Sequence, residues 1–161
     1  MSTIRNRSGF TLPLALADAL PVLLFSAGGI VIAERFTSRL FFAGIILCIT
    51  AGLGKIIWKL LLAIAHRGYP ILTLQFRILM PLGFMLIVLS VFICRNTIDW
   101  NSVRLALTGL PQAVFFIAGL GCMCIMTVFS VKLDDSARSN WIEQITNSIG
   151  QLMFLTGLLL I

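Results

Sequence analysis

The chain alternates between long hydrophobic runs and short polar segments. Five hydrophobic runs are present, at about 12–33, 40–65, 71–94, 110–131 and 141–161. Each approaches the roughly 20 residues that an α-helix needs to cross a bilayer. The segments between them, ERFTSR, HRGYP, RNTIDWNSVR and KLDDSARSN, are short, so consecutive helices should pack as antiparallel neighbours. The pattern predicts an all-α integral membrane protein, in which residues 1–161 form one bundle of five transmembrane helices with short loops.

Prolines and capping residues indicate where these helices begin, bend and end. In HRGYP the glycine permits a helix C-cap and the proline cannot continue a helix, so the second span should stop there. Asn140 is followed three residues later by Glu143, which is the spacing of a capping box at the start of the fifth span. Pro21 and Pro81 lie within spans and are expected to kink them.

Small residues indicate where helices can approach each other closely. The first run contains the segment from Ser26 to Gly29, and the fourth contains Ala118, Gly119, Gly121 and Cys122. The second run has the largest set, Gly44, Cys48, Ala51, Gly52 and Gly54. Such residues favour tight helix packing and carry no prediction about chemistry.

Composition supports a membrane protein and argues against a nucleic-acid binder. The chain is 59% hydrophobic and 11% charged, with a mean hydropathy of +1.05, whereas soluble domains are about half apolar and a quarter charged. Its net charge is +6. The cations lie between apolar runs rather than on one solvated face, so their expected roles are orientation and contact with anionic lipid. We therefore expect a multi-pass protein of the cell membrane, with the lipid bilayer as a partner.

The distribution of Arg and Lys predicts the orientation of the bundle. With five spans, eight cations lie on one side, namely Arg5, Arg7, Lys55, Lys59, Arg67, Arg77, Lys132 and Arg138. Four lie on the other side, namely Arg35, Arg39, Arg95 and Arg104. The positive-inside rule then places the N-terminus in the cytoplasm and the C-terminus outside. The first run is too long for the apolar region of a signal peptide and contains Asp18, so it is expected to be retained as a span.

Charged residues within the first two spans are the first candidates for a site, since such residues are costly in hydrocarbon. Asp18 and Lys55 should lie at matching depth on the cytoplasmic side, which makes Lys55 the expected partner of Asp18. Lys59 lies one turn further on and can extend to the headgroups. In the alternative, both lysines reach the headgroups and Asp18 stays protonated.

The fifth span begins with a polar stripe. Glu143, Asn147 and Gln151 recur every four residues, and Asn140, Gln144 and Ser148 form a second row beside them. We predict a polar pocket open to the cytoplasm, lined by Asp18, Lys55, Glu143, Asn147 and Gln151. Additional candidates are Lys59, Gln75, Arg77 and Gln144. The alternative for Asn147 and Gln151 is hydrogen bonding between helices, at about 0.6 to 2 kcal/mol per contact, and a third span starting at Ile78 would leave Gln75 and Arg77 in an interfacial turn.

Motifs for catalysis, cofactors or metals are absent from the sequence. His66 is the single histidine, so a haem held by paired histidines is excluded. The chain has no Walker A sequence, G-x-S-x-G elbow or H-E-x-x-H motif. The four cysteines lack C-x-x-C spacing and are interpreted as small buried hydrophobes. We therefore name no catalytic residue, metal ligand or cofactor.

Three functions remain compatible with the sequence. The first is a transporter or channel for a small polar or amphipathic ligand, which at five spans would act as a homo-oligomer. The second is a non-catalytic subunit or ligand-binding module that associates with a membrane partner. The third is an intramembrane enzyme that uses Asp18 or Glu143 as an acid or base.

Overall fold

The structure, a computed structural model, describes residues 12–65, 68–132 and 137–161. These residues form seven helices and no strand: α1 (Leu12–Ala17), α2 (Ala19–Arg35), α3 (Arg39–Ala65), α4 (Pro70–Ile93), α5 (Trp100–Thr108), α6 (Gln112–Lys132) and α7 (Ala137–Leu159). Four segments are long and apolar enough to cross a membrane: Leu12–Arg35, Arg39–Ala65, Pro70–Ile93 and Gln112–Phe129. The all-helical class is confirmed, and these four helices fit a membrane protein.

The first of these segments is interrupted at Asp18, and the interruption has a local cause. Pro21 has no N–H, and its ring crowds the carbonyl of the residue four positions earlier, which is Ala17. The helix therefore divides into α1 and α2 at this point. α4, by contrast, continues without interruption through Pro81.

The connector between the third and fourth runs contains a helix that the sequence analysis did not predict. Asp99 begins α5 as its N-cap, because its Oδ1 accepts from the backbone N–H of Asn101 at 3.0 Å and of Ser102 at 3.4 Å. Its Oδ2 also accepts from the Ser102 hydroxyl at 2.6 Å. These hydrogen bonds, led by those from Ser102, hold the pKa of Asp99 below its usual value. The N-cap residue was the signal in the sequence for this helix.

Two predicted helix starts are also corrected. α7 begins at Ala137, so Asn140 lies inside the helix and does not form the predicted capping box. α4 begins at Pro70, where a proline suits the first helical position. Gln75 and Arg77 therefore belong to the helix, and a start at Ile78 is wrong.

Contacts between neighbouring helices give their directions and their order. Gly29 lies against Ile45 and Gly52 against Val22, so α2 and α3 are antiparallel. α3 and α4 form one antiparallel hairpin, and α6 and α7 form another. α2 contacts α3 on one side and α7 on the other. The spatial order of the long described helices is therefore α4–α3–α2–α7–α6, a row in which α2 joins two hairpins.

α3 and α4 approach each other closely at Gly44 and Gly83. A Cβ atom on Gly83 would lie 2.5 Å from Cys48 Sγ and 2.8 Å from the carbonyl oxygen of Gly44. Ser38 and Ser90 share a hydrogen bond of 2.7 Å near the end of the same hairpin. The predicted packing role of Gly44 and Cys48 is confirmed.

The four cysteines differ in how deeply they are buried. All four thiols are free, and Cys48 is buried. Cys124 is exposed on α6, so its predicted burial within the protein is wrong. α6 packs mainly against α7, and the rest of its surface is free of other described spans.

Candidate functional site

A buried ion pair joins the break in the first span to the second span. The carboxylate of Asp18 binds the ammonium of Lys59, and the two residues are 4% and 9% exposed. Lys55 is therefore not the direct partner of Asp18. The antiparallel register explains the difference. Val22 faces Gly52, and Asp18 lies one turn before Val22, so Asp18 is level with a position on α3 that follows Lys55 in the sequence.

Two more charged residues complete this group, which we call the charged cluster: Asp18, Lys55, Lys59 and Glu143. Lys55 repels the ammonium of Lys59 and Glu143 attracts it. Lys55 itself points towards α4, where its Nζ lies 5.0 Å from the centroid of the Phe76 ring. The cluster thus draws side chains from the first span, α3 and α7 to one end of the bundle.

The polar row of α7 leads away from this cluster. Glu143 acts on Lys59, and Leu158 lies against Gly28, so this side of α7 faces the first span. Asn147 and Gln151 follow Glu143 at intervals of four residues and continue on the same face. We call Glu143, Asn147 and Gln151 the polar row. Gln151 lies about 12 Å from Glu143 along the helix axis.

The polar row ends in a cavity of about 1150 Å³. α2, α3, α4 and α7 line it together with α5, α6 and the connectors that follow α2 and α4. Its lining is mainly aliphatic and aromatic, including Phe25, Phe84, Phe116 and Phe154. The cavity lies at the end of the bundle opposite the charged cluster, because its lining uses the last part of α2 and the first part of α3.

Polar residues surround the outer part of the cavity, which we call the rim: Arg35, Thr37, Ser38, Asp99 and Ser102. α5 contributes Asp99 and Ser102, and its Val103, Ala106 and Leu107 add to the apolar lining. The carboxylate of Asp99 is occupied by the three donors that cap α5. The rim therefore combines a capped carboxylate with the cation of Arg35.

The predicted pocket residues fall into two groups. Asp18, Lys55 and Glu143 come together in the charged cluster, with Lys59 as the central partner. Gln151 alone of the five lines the cavity, at its inner end. The cavity lies at the opposite end from the cytoplasmic pocket expected from the sequence.

The additional candidates lie in separate places. Gln75 donates from Nε2 to the Thr50 carbonyl at 3.0 Å and packs across Gly54, so it joins α4 to α3. Arg77 is exposed on the surface of α4, beside Thr73 and Leu74. Gln144 has a buried side-chain oxygen without a hydrogen-bond partner among the described residues.

The cavity itself was missed because its lining comes from six helices. Phe25, Phe84 and Phe154 look like ordinary residues of apolar runs, and nothing in their local sequence shows that they share a space. In comparisons with known proteins, no family model, no curated protein and no solved structure matches this chain. The site must therefore be interpreted from its own geometry.

Proposed function

We propose that this chain is a small membrane transport protein whose two ends open in alternation. The observation that carries the proposal is that a buried ion pair joins the helices at one end of the bundle and a cavity lies at the other end. The first span, α3 and α7 meet at the charged cluster, while α2, α3, α4 and α7 line the cavity. A site reached from one side and closed on the other is the arrangement that alternating access requires.

The ion pair is the element that keeps the closed end closed in this proposal. Asp18 and Lys59 join the break in the first span to α3, and both are almost completely buried. Loss of the pair would leave a buried charge without its partner, which favours hydration and separation of these helices. The break near Pro21 gives α1 a point at which it can move relative to α2.

The polar row connects the two ends in this mechanism. Asn147 lies between Glu143, which acts on Lys59, and Gln151, which lines the cavity. Polar side chains in such a position can bind water, and they can link a movement of the helices at the charged cluster to the ligand site. Asp18 and Glu143 thus belong to the closed end and Asn147 and Gln151 to the path towards the cavity, whereas Lys55 lies near Lys59 without contacting Asp18.

Five spans with opposite termini belong to the same proposal. α7 has 23 residues, about 34 Å of helix, and it lies antiparallel to α6. Its polar row faces the first span rather than lipid. Lys55 and Lys59 lie inside α3, so the remaining cations number six against four and still favour a cytoplasmic N-terminus. In this orientation the cavity opens to the outside of the cell. Assembly as a homo-oligomer would cover the exposed faces of α4 and α6.

Cysteine accessibility in proteoliposomes tests alternating access without a known ligand. In a background whose four native cysteines are replaced by alanine, Ala15→Cys reports the closed end and Leu24→Cys reports the cavity. With Asp18 intact, a water-soluble maleimide supplied on both sides of the membrane should label Leu24→Cys and leave Ala15→Cys protected. Adding Asp18→Asn should expose Ala15→Cys and protect Leu24→Cys.

Lys55→Gln is the matched control, because Lys55 lies near Lys59 but contacts Phe76 instead of Asp18. It should leave both labelling rates near those of the parent. If Asp18→Asn exposes Ala15→Cys while Leu24→Cys stays equally reactive, the two ends are not coupled. That result would contradict transport by alternation and leave local loosening of α1 as the explanation.

A ligand-binding module of a larger membrane assembly is the second candidate, and the cavity is the observation that favours it. A cavity of about 1150 Å³ can hold a ligand whether or not the bundle moves. This function predicts binding with no change in accessibility at Ala15. The cysteine experiment therefore separates the two candidates.

A further inference from the structure

We propose, as an extension that rests on the transport function above, that the cavity binds a single-chain amphiphile with an anionic carboxylate or phosphate head. The apolar lining would hold the chain, and Arg35 would bind the head at the rim. The occupant is a solute that enters at the rim rather than an acyl chain of the surrounding bilayer. The shape, the lining and the charge of the cavity each support part of this assignment.

The cavity is long enough for an extended chain. α2 lines it from Leu24 to Arg35, which is about 16 Å along a helix axis. Its volume of about 1150 Å³ exceeds the roughly 300–1,000 Å³ of most small-molecule pockets. An elongated ligand would use this length, whereas a compact polar solute would leave most of the wall without contacts.

The lining is suited to hydrocarbon over most of that length. Leu155 and Leu158 of α7 and Leu24 and Ile32 of α2 line the cavity, together with aromatic rings from α4 and α6. Burying an alkyl chain against such a surface is favourable by about 0.8 kcal/mol per CH₂ group. Polar side chains are concentrated at the rim, with Gln151 at the inner end, so one polar head belongs at the rim.

Charge at the rim selects an anion. Among the described residues, the charged ones that line the cavity are Arg35 and Asp99. Asp99 already accepts three hydrogen bonds within α5. The guanidinium of Arg35 makes no hydrogen bond or ion pair with the described residues, and Arg35 ends α2 beside the cavity. A guanidinium binds carboxylate or phosphate through two parallel hydrogen bonds, so the available charge fits an anionic head.

Photocrosslinking tests the ligand class directly. The probes are palmitate and phosphatidylcholine, each carrying a diazirine in its acyl chain, with the full chain in phosphatidylcholine proteoliposomes. Crosslinks are mapped by mass spectrometry to the cavity wall at Phe154 to Leu158 and to the exposed surface of α6 at Ile117 and Leu120. Palmitate should label the cavity wall and phosphatidylcholine only the exposed surface.

Two pairs of variants make the result specific. Ala106→Trp fills the cavity from α5, whereas Leu105→Trp places the same side chain on the exposed face of that helix. Arg35→Gln removes the rim cation, whereas Arg39→Gln removes an exposed neighbour that does not line the cavity. Ala106→Trp should abolish cavity labelling. Arg35→Gln should weaken palmitate binding about tenfold, the effect of losing one charge-assisted hydrogen bond, and both controls should bind like the parent.

Equal labelling of the cavity wall by the two probes would mean that bilayer lipid fills it, and the proposal would be wrong. The proposal would also be wrong if palmitate labelled the cavity wall of Ala106→Trp and of Arg35→Gln as strongly as that of the parent. These failures are independent of the transport test, which uses no ligand. If the cysteine accessibilities are coupled but palmitate does not bind, the transport proposal stands and the amphiphile proposal is wrong. If palmitate binds but the accessibilities are not coupled, the binding site stands and the transport proposal is wrong.

Discussion

Asp18 and Lys59 form an ion pair in which both residues are almost completely buried. Asp18 also lies at the break that Pro21 causes, between α1 and α2. Replacing both charges by neutral groups is often tolerated in protein interiors, but removing one leaves the other unpaired. The pair therefore couples the position of α1 to the charge on Lys59, and its removal should be measurable in the isolated protein.

We predict that Asp18→Asn destabilises the folded protein by about 3 kcal/mol, the lower end of the effect of breaking a buried pair. Asp18→Asn with Lys59→Gln should recover much of this loss, because no charge is then left unpaired. The free energy of unfolding, measured by SDS titration in mixed micelles, gives both values. Lys55→Gln is the control and should cost under about 1 kcal/mol, since it removes only a cation–π contact. A double variant as unstable as the sum of its single variants would show that the two charges do not interact.

At the scale of elements, glycine decides which helices pair most closely. Gly44 and Gly83 bring the backbones of α3 and α4 together, and Gly119 and Gly150 do the same for α6 and α7. Helix association within lipid depends on such packing because lipid chains are as apolar as the side chains. The two hairpins are therefore the extensively packed units, while α5 contacts only α6 among the described helices.

We predict that Gly83→Ala destabilises the α3–α4 hairpin, because its Cβ would lie 2.5 Å from Cys48 Sγ and 2.8 Å from the Gly44 carbonyl. The expected cost is about 1–3 kcal/mol, as for overpacking in a close-packed interior. Gly121→Ala is the matched control, since no atom lies within 4 Å of its Cβ position. It should be neutral or stabilising by up to about 1 kcal/mol through helix propensity. Unfolding in SDS measures both, and equal stabilities for the two variants would contradict the close approach.

At the scale of the whole molecule, the row α4–α3–α2–α7–α6 leaves space between its two hairpins. α2 lies at the centre of the row and contacts both hairpins. Movement of one hairpin relative to the other would change the cavity and the charged cluster together. The number of spans also decides where the two termini lie. Five spans place the termini on opposite sides of the membrane, and four spans place them on the same side.

We predict that the N-terminus and the C-terminus lie on opposite sides of the membrane. Green fluorescent protein fused before Met1 should fluoresce, because it folds in the cytoplasm, and the same protein fused after Ile161 should stay dark. Alkaline phosphatase, which is active only outside, should give the reverse pattern. The reason is that α7 has the length of a span and lies antiparallel to α6. Fluorescence from fusions at both ends would instead mean four spans, with α7 on the cytoplasmic side.

The helical class, the four strongly apolar segments and the polar face of α7 can all be recognised in the amino-acid sequence. These properties depend on local composition and on the 3.6-residue period of a helix. The pairing of Asp18 with Lys59 rather than Lys55 follows from the packing of the helices, because the register between two helices depends on contacts such as Val22 with Gly52. The packing also determines the cavity, whose lining residues lie up to 137 positions apart, from Leu24 to Ile161. A space enclosed by six helices has no local pattern, since it results from where those helices do not touch.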